Sequence, residues 1–241
     1  PKPLSVSVIV PLYNEQEAIP ELMTKIQQAL AEVPHEVILV DDGSIDGTVE
    51  VARRFLQENQ KIVVLDSNYG QSVAVLAGLE NSKNEVIAII DGDGQIDPHD
   101  IGRMYKLLIE EGHELIQGVR SKRKDPSFKM ITSKYANKMI CQVLGTDVHD
   151  AGCSAKVFRR SILDKFPYFN GYHRLSPVVA QKIGIKVRQV PVDHFPRKHG
   201  TSNYGLGRTL NVLRHVWALF YNPMATQENL SYKVKTITQG T

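Results

Sequence analysis

The sequence predicts an α/β protein built on a doubly wound, mainly parallel β-sheet flanked by helices. In the first half of the 241-residue chain, short apolar runs alternate with segments in which apolar residues recur at helical spacing. Each apolar run ends at polar or charged residues, which is where ligands bind in sheets of this kind. The composition, 42% hydrophobic and 23% charged, is that of a folded domain.

Five apolar runs predict strands, and a helix with one apolar face follows each of the first four. The predicted strands span residues 6–11, 36–40, 61–65, 86–90 and 114–119. Five residues stand just beyond these strand ends: Tyr13, Asp42, Asn68, Asp91 and Arg120. Because the carboxyl ends of parallel strands share one edge of the sheet, we expect these side chains to meet over one crevice.

The second half is less regular, with predicted strands at 156–158 and 186–192 and helices at about 131–144 and 206–221. Two basic loops, 120–129 and 195–205, flank these elements. We expect one domain over 1–222, with a donor half at 5–120 and an acceptor half at 121–222. Residues 223–241 are expected to form a loose polar tail.

The bulk properties exclude several classes of protein. The net charge of +3 is too small to imply a nucleic-acid partner. Two cysteines are too few for a disulfide framework or a four-thiolate zinc site, and they suit a reducing cytoplasm. We expect no membrane span, because no apolar run reaches roughly 18 residues, and we find no signal-peptide pattern.

The segment Asp91-Gly92-Asp93-Gly94-Gln95 carries the clearest chemistry. Alternate residues of an extended segment point the same way, so Asp91 and Asp93 can face one ion, with Gln95 as a third oxygen ligand. Oxygen ligands of this kind suit Mg²⁺ or Mn²⁺. Taken alone, the motif is more typical of a polar turn that caps the helix starting at Asp97 and Pro98, and the rest of the chain favours the metal site.

Six segments resemble a known family. The runs Val8-Ile9-Val10-Pro11-Leu12-Tyr13-Asn14-Glu15 and Val40-Asp41-Asp42-Gly43-Ser44-Ile45-Asp46-Gly47-Thr48 resemble the family 2 glycosyltransferases with the GT-A fold. The run from Asp91 to Pro98 and the later segments 149–160, 173–174 and 197–204 resemble the dolichyl- and polyprenyl-phosphate sugar synthases, a group that includes dolichyl-phosphate mannosyltransferases. The resemblance covers roughly residues 5–222 and implies a nucleotide-diphospho-sugar transferase-like fold.

The resemblance also implies roles for individual residues. The nucleotide sugar would be held by Pro11, Tyr13, Glu15, Val40, Asp42, Asp91, Gly92 and Gln95. Asp93 and Asp150 would be the catalytic carboxylates. For Asp42 a turn or capping role is the alternative, and for Asp150 a structural pairing with a nearby arginine.

The implied reaction moves a hexose, from a donor of the GDP-mannose or UDP-glucose type, to a polyprenyl or dolichyl phosphate with inversion. An acceptor phosphate is already an anion and needs cations to orient it more than it needs a general base. The candidates are Arg120, Lys129 and Arg197, with Ser133 as a hydrogen-bond donor. Asn203 stands where the family often has lysine.

Two other functions remain open on sequence grounds. A family 2 enzyme with a sugar hydroxyl as acceptor would need Asp150 as a true base. A non-catalytic nucleotide-sugar binding module is favoured by Gly94 and Ser154, which depart from the family pattern. A dinucleotide-binding dehydrogenase is disfavoured, because no G-x-G-x-x-G follows the first strand.

The predicted last helix carries one apolar stripe: Leu206, Leu210, Leu213, Trp217 and Phe220. A stripe with aromatic residues near one end and cations beside it suits the headgroup region of a membrane. We therefore expect a protein that acts peripherally at the cytoplasmic face of a membrane. Packing of the stripe on the sheet, or against a second copy or a membrane-protein partner, is the alternative.

Overall fold

The computed structural model describes residues 4–121, 141–197 and 227–240. In this part of the chain, eight strands form one sheet in the order β7-β5-β6-β4-β1-β2-β3-β8. The strands are β1 Val6–Leu12, β2 His35–Asp41, β3 Gln60–Leu65, β4 Val86–Ile89, β5 Leu115–Arg120, β6 Lys156–Arg159, β7 Val187–Val192 and β8 Val234–Gln239. The helices are α1 Ile19–Ala29, α2 Thr48–Phe55, α3 Gln71–Glu80, α4 Pro98–Glu110 and α5 Tyr172–Lys182, with a 3-10 helix at Arg160–Lys165.

The predicted fold class is confirmed. Strands β1 to β4 run parallel, with β1 between β2 and β4, so the chain winds first to one side of the sheet and then to the other. Strands β5 and β7 also pair in parallel, whereas β6 and β8 run antiparallel to their neighbours. This arrangement places the carboxyl ends of β1, β2, β3 and β4 along one edge.

Helices cover both faces of the sheet. Ile9, Ile38 and Phe158 belong to the core under α3 and α5, whereas Val8 and Leu39 belong to the core under α1 and α4. Such fully buried side chains each contribute roughly 1.5–3 kcal/mol through removal of apolar surface from water. Burial on both faces explains why these strands are continuous apolar runs in the sequence.

Two features of the sheet differ from the sequence-based expectation. Strand β6 inserts between β4 and β5, although β5 follows β4 along the chain. The expected loose tail instead contains β8, which pairs with β3. Residues 141–144 are helical, as expected for the end of the predicted 131–144 helix, whereas the predicted 206–221 helix lies outside the described residues.

Candidate active site at the carboxyl edge of the sheet

The loop between β4 and α4 presents the two carboxylates of the central motif. Gly92 is required there, because a β-carbon at this position would lie 2.3 Å from Leu12 Cδ2. Gly94 has a φ of +69°, a conformation that favours glycine over the bulkier residue usual in the family. The loop ends at Asp97, whose side chain accepts a hydrogen bond from the His99 backbone N–H at 3.0 Å and so caps α4.

Asp91 lies two residues beyond β4 and is held by a neighbouring helix. The Gln71 side-chain amide at the start of α3 donates to Asp91 Oδ1 at 2.5 Å. Burial raises the pKa of Asp91 to about 6, and the charge of Asp93 adds to this shift. A hydrogen bond from Ser154 and the positive charges of Lys156 and Arg120 act in the opposite direction.

The guanidinium group of Arg197 lies between the carboxylates of Asp93 and Glu15. Arg197 Nη2 lies 3.0 Å from Asp93 Oδ2 and 3.2 Å from Glu15 Oε1. Burial raises the pKa of Glu15 to about 7, opposed by Arg197 and reinforced by Asp93 and Asp91. The sequence position of Arg197 suggested an acceptor residue apart from the donor half, but the structure places it directly on the carboxylates of that half.

The segment after β7 is tied to the motif loop by its backbone. Ile96 and His194 form an isolated antiparallel bridge, and the Phe195 N–H donates to the Gln95 carbonyl at 2.7 Å. The Gln95 side chain donates through Nε2 to the Phe195 carbonyl at 3.3 Å. The Gln95 amide oxygen, which is the atom that would coordinate a metal cation, takes no part in this hydrogen bond.

Asp42 at the end of β2 organises the next loop along the edge. Its two carboxylate oxygens accept hydrogen bonds from the backbone N–H groups of Tyr69 and Gly70 at 2.7 and 2.8 Å. Burial raises the pKa of Asp42 to about 6, and these two hydrogen bonds oppose the shift. The turn role considered for Asp42 is therefore present, although each oxygen keeps a second lone pair for a ligand.

The other residues predicted to hold the donor divide into loop and core positions. Tyr13 and Glu15 lie in the β1–α1 loop, which is joined to the first residue of α2 by a hydrogen bond from the Glu15 N–H to Thr48 Oγ1 at 2.9 Å. Pro11 and Val40 are paired neighbours inside the sheet. The side chain of Val40 is fully buried in the apolar core, so it cannot contact a nucleoside directly.

Asp150 and Arg120 form a bidentate ion pair. Arg120 Nε and Nη2 each lie 2.8 Å from one carboxylate oxygen of Asp150, and the Arg120 backbone N–H also donates to Asp150. Asp150 is buried, with both oxygens engaged. This geometry is that of the structural pair considered as the alternative to a catalytic Asp150. It also engages the Arg120 side chain that was predicted to bind the acceptor phosphate.

Four polar residues near Asp91 were not predicted as site residues. They are Gln71, Ser72, Lys156 and Ser154, and the last was considered only as a departure from the family pattern. A polar pair directly at a helix start after a glycine, as in Gly70-Gln71-Ser72, is the only sequence signal that points to any of them. Lys129, Ser133 and Asn203 lie outside the described residues.

The donor set fits a divalent cation. Asp91 and Asp93 provide carboxylate oxygens beside the Gln95 amide, and the nearby Arg197 shows that this cluster attracts positive charge. Within the described ranges, no three acidic, histidine or cysteine side chains form a complete metal site. A cation held here would draw its other ligands from a bound diphosphate or from water, as is usual for Mg²⁺.

The fold and this acidic edge define a class: an α/β protein with a candidate ligand site at the carboxyl ends of parallel strands. A family model described as glycosyl transferase family 2 matches residues 7–166. The chain belongs to glycosyl transferase family 2, which confirms the resemblance drawn from the motifs.

Two relatives are polyprenyl-phosphate sugar enzymes by name. Dodecaprenyl-phosphate galacturonate synthase from Rhizobium johnstonii is 35% identical over 226 residues, covering 90% of this chain and 67% of that protein. Undecaprenyl-phosphate 4-deoxy-4-formamido-L-arabinose transferase from Pseudomonas syringae pv. syringae is 33% identical over 213 residues, covering 86% and 63%. The chain thus spans about two thirds of the length of these relatives.

Solved structures confirm the GT-A fold. Glucosyl-3-phosphoglycerate synthase from Mycobacterium tuberculosis, solved with Mn²⁺, UDP and glucosyl-3-phosphoglycerate, has a TM-score of 0.68 and 18% identity, covering 97% of this chain and 87% of that one. Mannosyl-3-phosphoglycerate synthase from Rubrobacter xylanophilus has a TM-score of 0.66 and 19% identity, covering 90% and 72%. In the ranges described for our chain, no helix has the length and apolar character needed to cross a bilayer.

Proposed function

We propose that this protein transfers a sugar from a nucleotide diphosphate sugar to a polyprenyl or dolichyl phosphate, with inversion at the anomeric carbon. The observation that carries the proposal is the cluster of Asp91, Asp93 and Glu15 at the carboxyl edge of the sheet, in which Arg197 bridges Asp93 and Glu15. The names of the relatives support a lipid-phosphate acceptor.

In the proposed reaction a phosphate oxygen of the acceptor forms a bond to the anomeric carbon of the donor. The bond between that carbon and the diphosphate breaks, and the electron pair leaves with the nucleoside diphosphate. The acceptor is already ionised, so no proton has to be removed. This agrees with an Asp150 that is held by Arg120.

The chain's own residues would bind and orient the donor. We assign Tyr13, Glu15 and Asp42 to the nucleoside and Asp91 and Asp93 to the cation, with Gly92 allowing the loop to approach β1. A bound Mg²⁺ or Mn²⁺ would supply charge that stabilises the leaving diphosphate. The Gln95 oxygen is a further ligand candidate.

The acceptor side is assigned to polar and basic residues on the second half of the chain. We propose Lys129, Ser133 and Asn203 as contacts of the acceptor phosphate, with Arg197 moving from the carboxylates to a phosphate when donor and cation bind. Such an enzyme would work peripherally at the cytoplasmic face of a membrane.

The sugar and the base of the donor can be identified by a direct screen of nucleotide sugars. The motif resemblance suggests GDP-mannose or UDP-glucose as the donor. The names of the two relatives instead specify galacturonate and a formamido-arabinose as the sugar. Uridine and guanosine diphosphate sugars should therefore be compared by thermal shift with and without Mn²⁺. A ligand at about 100 times its dissociation constant adds about 2.7 kcal/mol of stability.

The experiment that tests the function is turnover of nucleotide sugar with polyprenyl phosphate in Mn²⁺ or chelator. Asp93→Asn should keep the fold and lose most of the activity, because it weakens the cation site. Asp97→Asn is the matched control on the same loop, since asparagine also caps helices and activity should persist. Full turnover by Asp93→Asn in chelator would overturn the metal-dependent mechanism.

The same assay separates the two alternatives. Transfer to a sugar hydroxyl and not to lipid phosphate would identify the other enzyme class. Donor binding without transfer or hydrolysis would identify a binding module. Two observations argue against these alternatives. Asp150, the base that a hydroxyl acceptor would need, is paired with Arg120. Gly94, a departure that favoured the binding module, has the left-handed backbone conformation that glycine adopts readily.

A further inference from the structure

Lys156 is a buried cation beneath the proposed donor site. It begins β6 and pairs with Gln117 on β5 and with Ile89 on β4, two residues before Asp91. Its side chain is 2% exposed, and its ammonium donates to the carbonyls of Cys153 and His173 at 2.7 and 2.8 Å. Burial of a lysine ammonium costs free energy because the charge loses its hydration, so its presence at this position needs an explanation.

The His173 carbonyl is available to Lys156 because of a proline. In an α-helix this carbonyl would accept the backbone N–H four residues later, and that residue is Pro177, which has none. The ammonium of Lys156 thus takes the place of a missing helix donor. The same lysine reaches the Cys153 carbonyl, which also accepts from Gln117 Nε2 at 3.0 Å.

These contacts close a chain of polar groups that we call the Lys156 ring: Asp91, Gln71, Ser72, His173, Lys156, Cys153 and Ser154. Ser72 Oγ lies 2.7 Å from His173 Nδ1 and accepts the Gly171 N–H at 2.8 Å. Its neighbour Gln71 donates to Asp91, and Ser154, next to Cys153, hydrogen-bonds the same carboxylate. Three separate segments, the starts of α3 and α5 and the turn before β6, therefore meet under Asp91.

We propose that Lys156 is a positioning residue that fixes the carboxylate of Asp91 for cation binding by joining the start of α5 to the turn that carries Ser154. The proposal rests on the proposed function, because it takes Asp91 as a cation ligand. Lys156 itself touches neither donor nor cation.

Mn²⁺ binding, measured by the loss of the free-ion electron paramagnetic resonance signal, tests this role without any turnover. Lys156→Met should raise the Mn²⁺ Kd about 10-fold, the usual cost of losing a group that orients a ligand. Its unfolding midpoint in urea should be lower, because the carbonyls of Cys153 and His173 lose the donor that Lys156 provides. Lys156→Arg, which keeps charge and donors, should restore Mn²⁺ affinity to within about 3-fold of wild type.

The matched control is Phe158→Leu, two residues along the same face of β6 and in the apolar core. It should lower stability and leave the Mn²⁺ Kd unchanged. A folded Lys156→Met protein with wild-type Mn²⁺ affinity would overturn the proposal. If that variant does not fold, Ser72→Ala breaks the ring at an uncharged link, and there too an unchanged Kd overturns the proposal whereas a raised Kd supports it.

The wild-type measurement keeps the two hypotheses apart. If wild type binds Mn²⁺ and the ring variants bind it equally well, only the role of Lys156 fails. If wild type binds no Mn²⁺ either alone or with a nucleoside diphosphate present, the cation site of the proposed function fails, and the role of Lys156 fails with it.

Discussion

Arg197 holds one guanidinium nitrogen between the carboxylates of Asp93 and Glu15, at 3.0 and 3.2 Å. Its charge occupies the place at which a divalent cation would be attracted. Asp93 and Glu15 raise the pKa of Arg197 against the opposing effect of burial, so it is charged at any working pH. Cation binding by the free protein must therefore compete with this arginine.

We predict that Arg197→Ala tightens the binding of Mn²⁺ alone by about 5-fold, because a competing charge worth roughly 1 kcal/mol is removed. Isothermal titration with MnCl₂ in the absence of nucleotide measures the effect. Arg103→Ala removes an arginine from a different carboxylate, Asp100, and should leave the Mn²⁺ Kd unchanged. Weaker Mn²⁺ binding by Arg197→Ala would contradict competition and indicate a supporting role for the arginine.

Glu15 predicts a pH dependence of stability. Its pKa is about 7 in the folded protein against an ordinary 4.5, so the folded state keeps a proton that the unfolded chain releases. The free energy of unfolding should therefore fall as pH rises from 4.5 to about 7. Glu15→Gln has no such group, and its stability relative to wild type should rise by roughly 2 kcal/mol across that range.

Urea unfolding of both proteins at about pH 5 and pH 8 measures this difference. Glu17→Gln is the control, because Glu17 lies on the same loop with its side chain exposed. If Glu15→Gln and wild type lose stability in parallel between the two pH values, the proton is not held at Glu15.

Individual site residues were predictable where a short motif carries the chemistry. Asp91 and Asp93 stand out because two carboxylates follow an apolar run, and Glu15 and Asp42 follow two others. Lys156 gave no such signal, because it faces the sheet interior from a short strand and its partners are main-chain carbonyls. Such contacts depend on tertiary placement and leave no trace in residue spacing.

Strand β8 protects an edge of the sheet. It pairs with β3 through the backbone, while its own side chains, such as those of Val234 and Ile237, remain largely exposed. The strand therefore adds little buried area, and its main effect is to satisfy the open hydrogen-bonding groups of β3. An uncovered edge strand is a template for association.

We predict that truncation after Lys233 leaves the fold intact and promotes concentration-dependent self-association through β3. Light scattering after size-exclusion chromatography should show larger species at high protein concentration for the truncated chain. Ile237→Lys is the control, because it changes an exposed side chain and keeps the backbone ladder. A truncated protein that stays in the same oligomeric state as wild type at every concentration would mean that β8 is not needed to prevent association through β3.

The elements differ in how well the sequence predicted them. Strands β1 to β5 are apolar runs because helices cover both of their faces. Strand β8 has polar and β-branched residues with little burial, so its sequence looks like a solvated tail. The insertion of β6 between β4 and β5 was not predictable, because its position is set by pairing across a long connection and not by local pattern.

At the scale of the whole molecule, the proposed donor and acceptor functions converge at Arg197. This residue lies on the donor carboxylates, and the chain continues from it into the basic, glycine-containing segment and the apolar stripe of Leu206, Leu210, Leu213, Trp217 and Phe220. The stripe lies outside the described residues. A lipid acceptor must bring its phosphate to this same edge of the sheet.

We predict that the stripe binds the membrane surface, so that wild type floats with anionic vesicles and Trp217→Glu with Phe220→Glu does not. The matched control is Val234→Glu with Ile237→Glu, which adds the same charge at exposed positions on β8. The control should float like wild type, because only loss of apolar contact at the stripe removes the protein from the lipid. If wild type stays in the soluble fraction at low salt, the stripe packs on the sheet or against a second copy or a membrane-protein partner, and the lipid phosphate must reach Arg197 by another route.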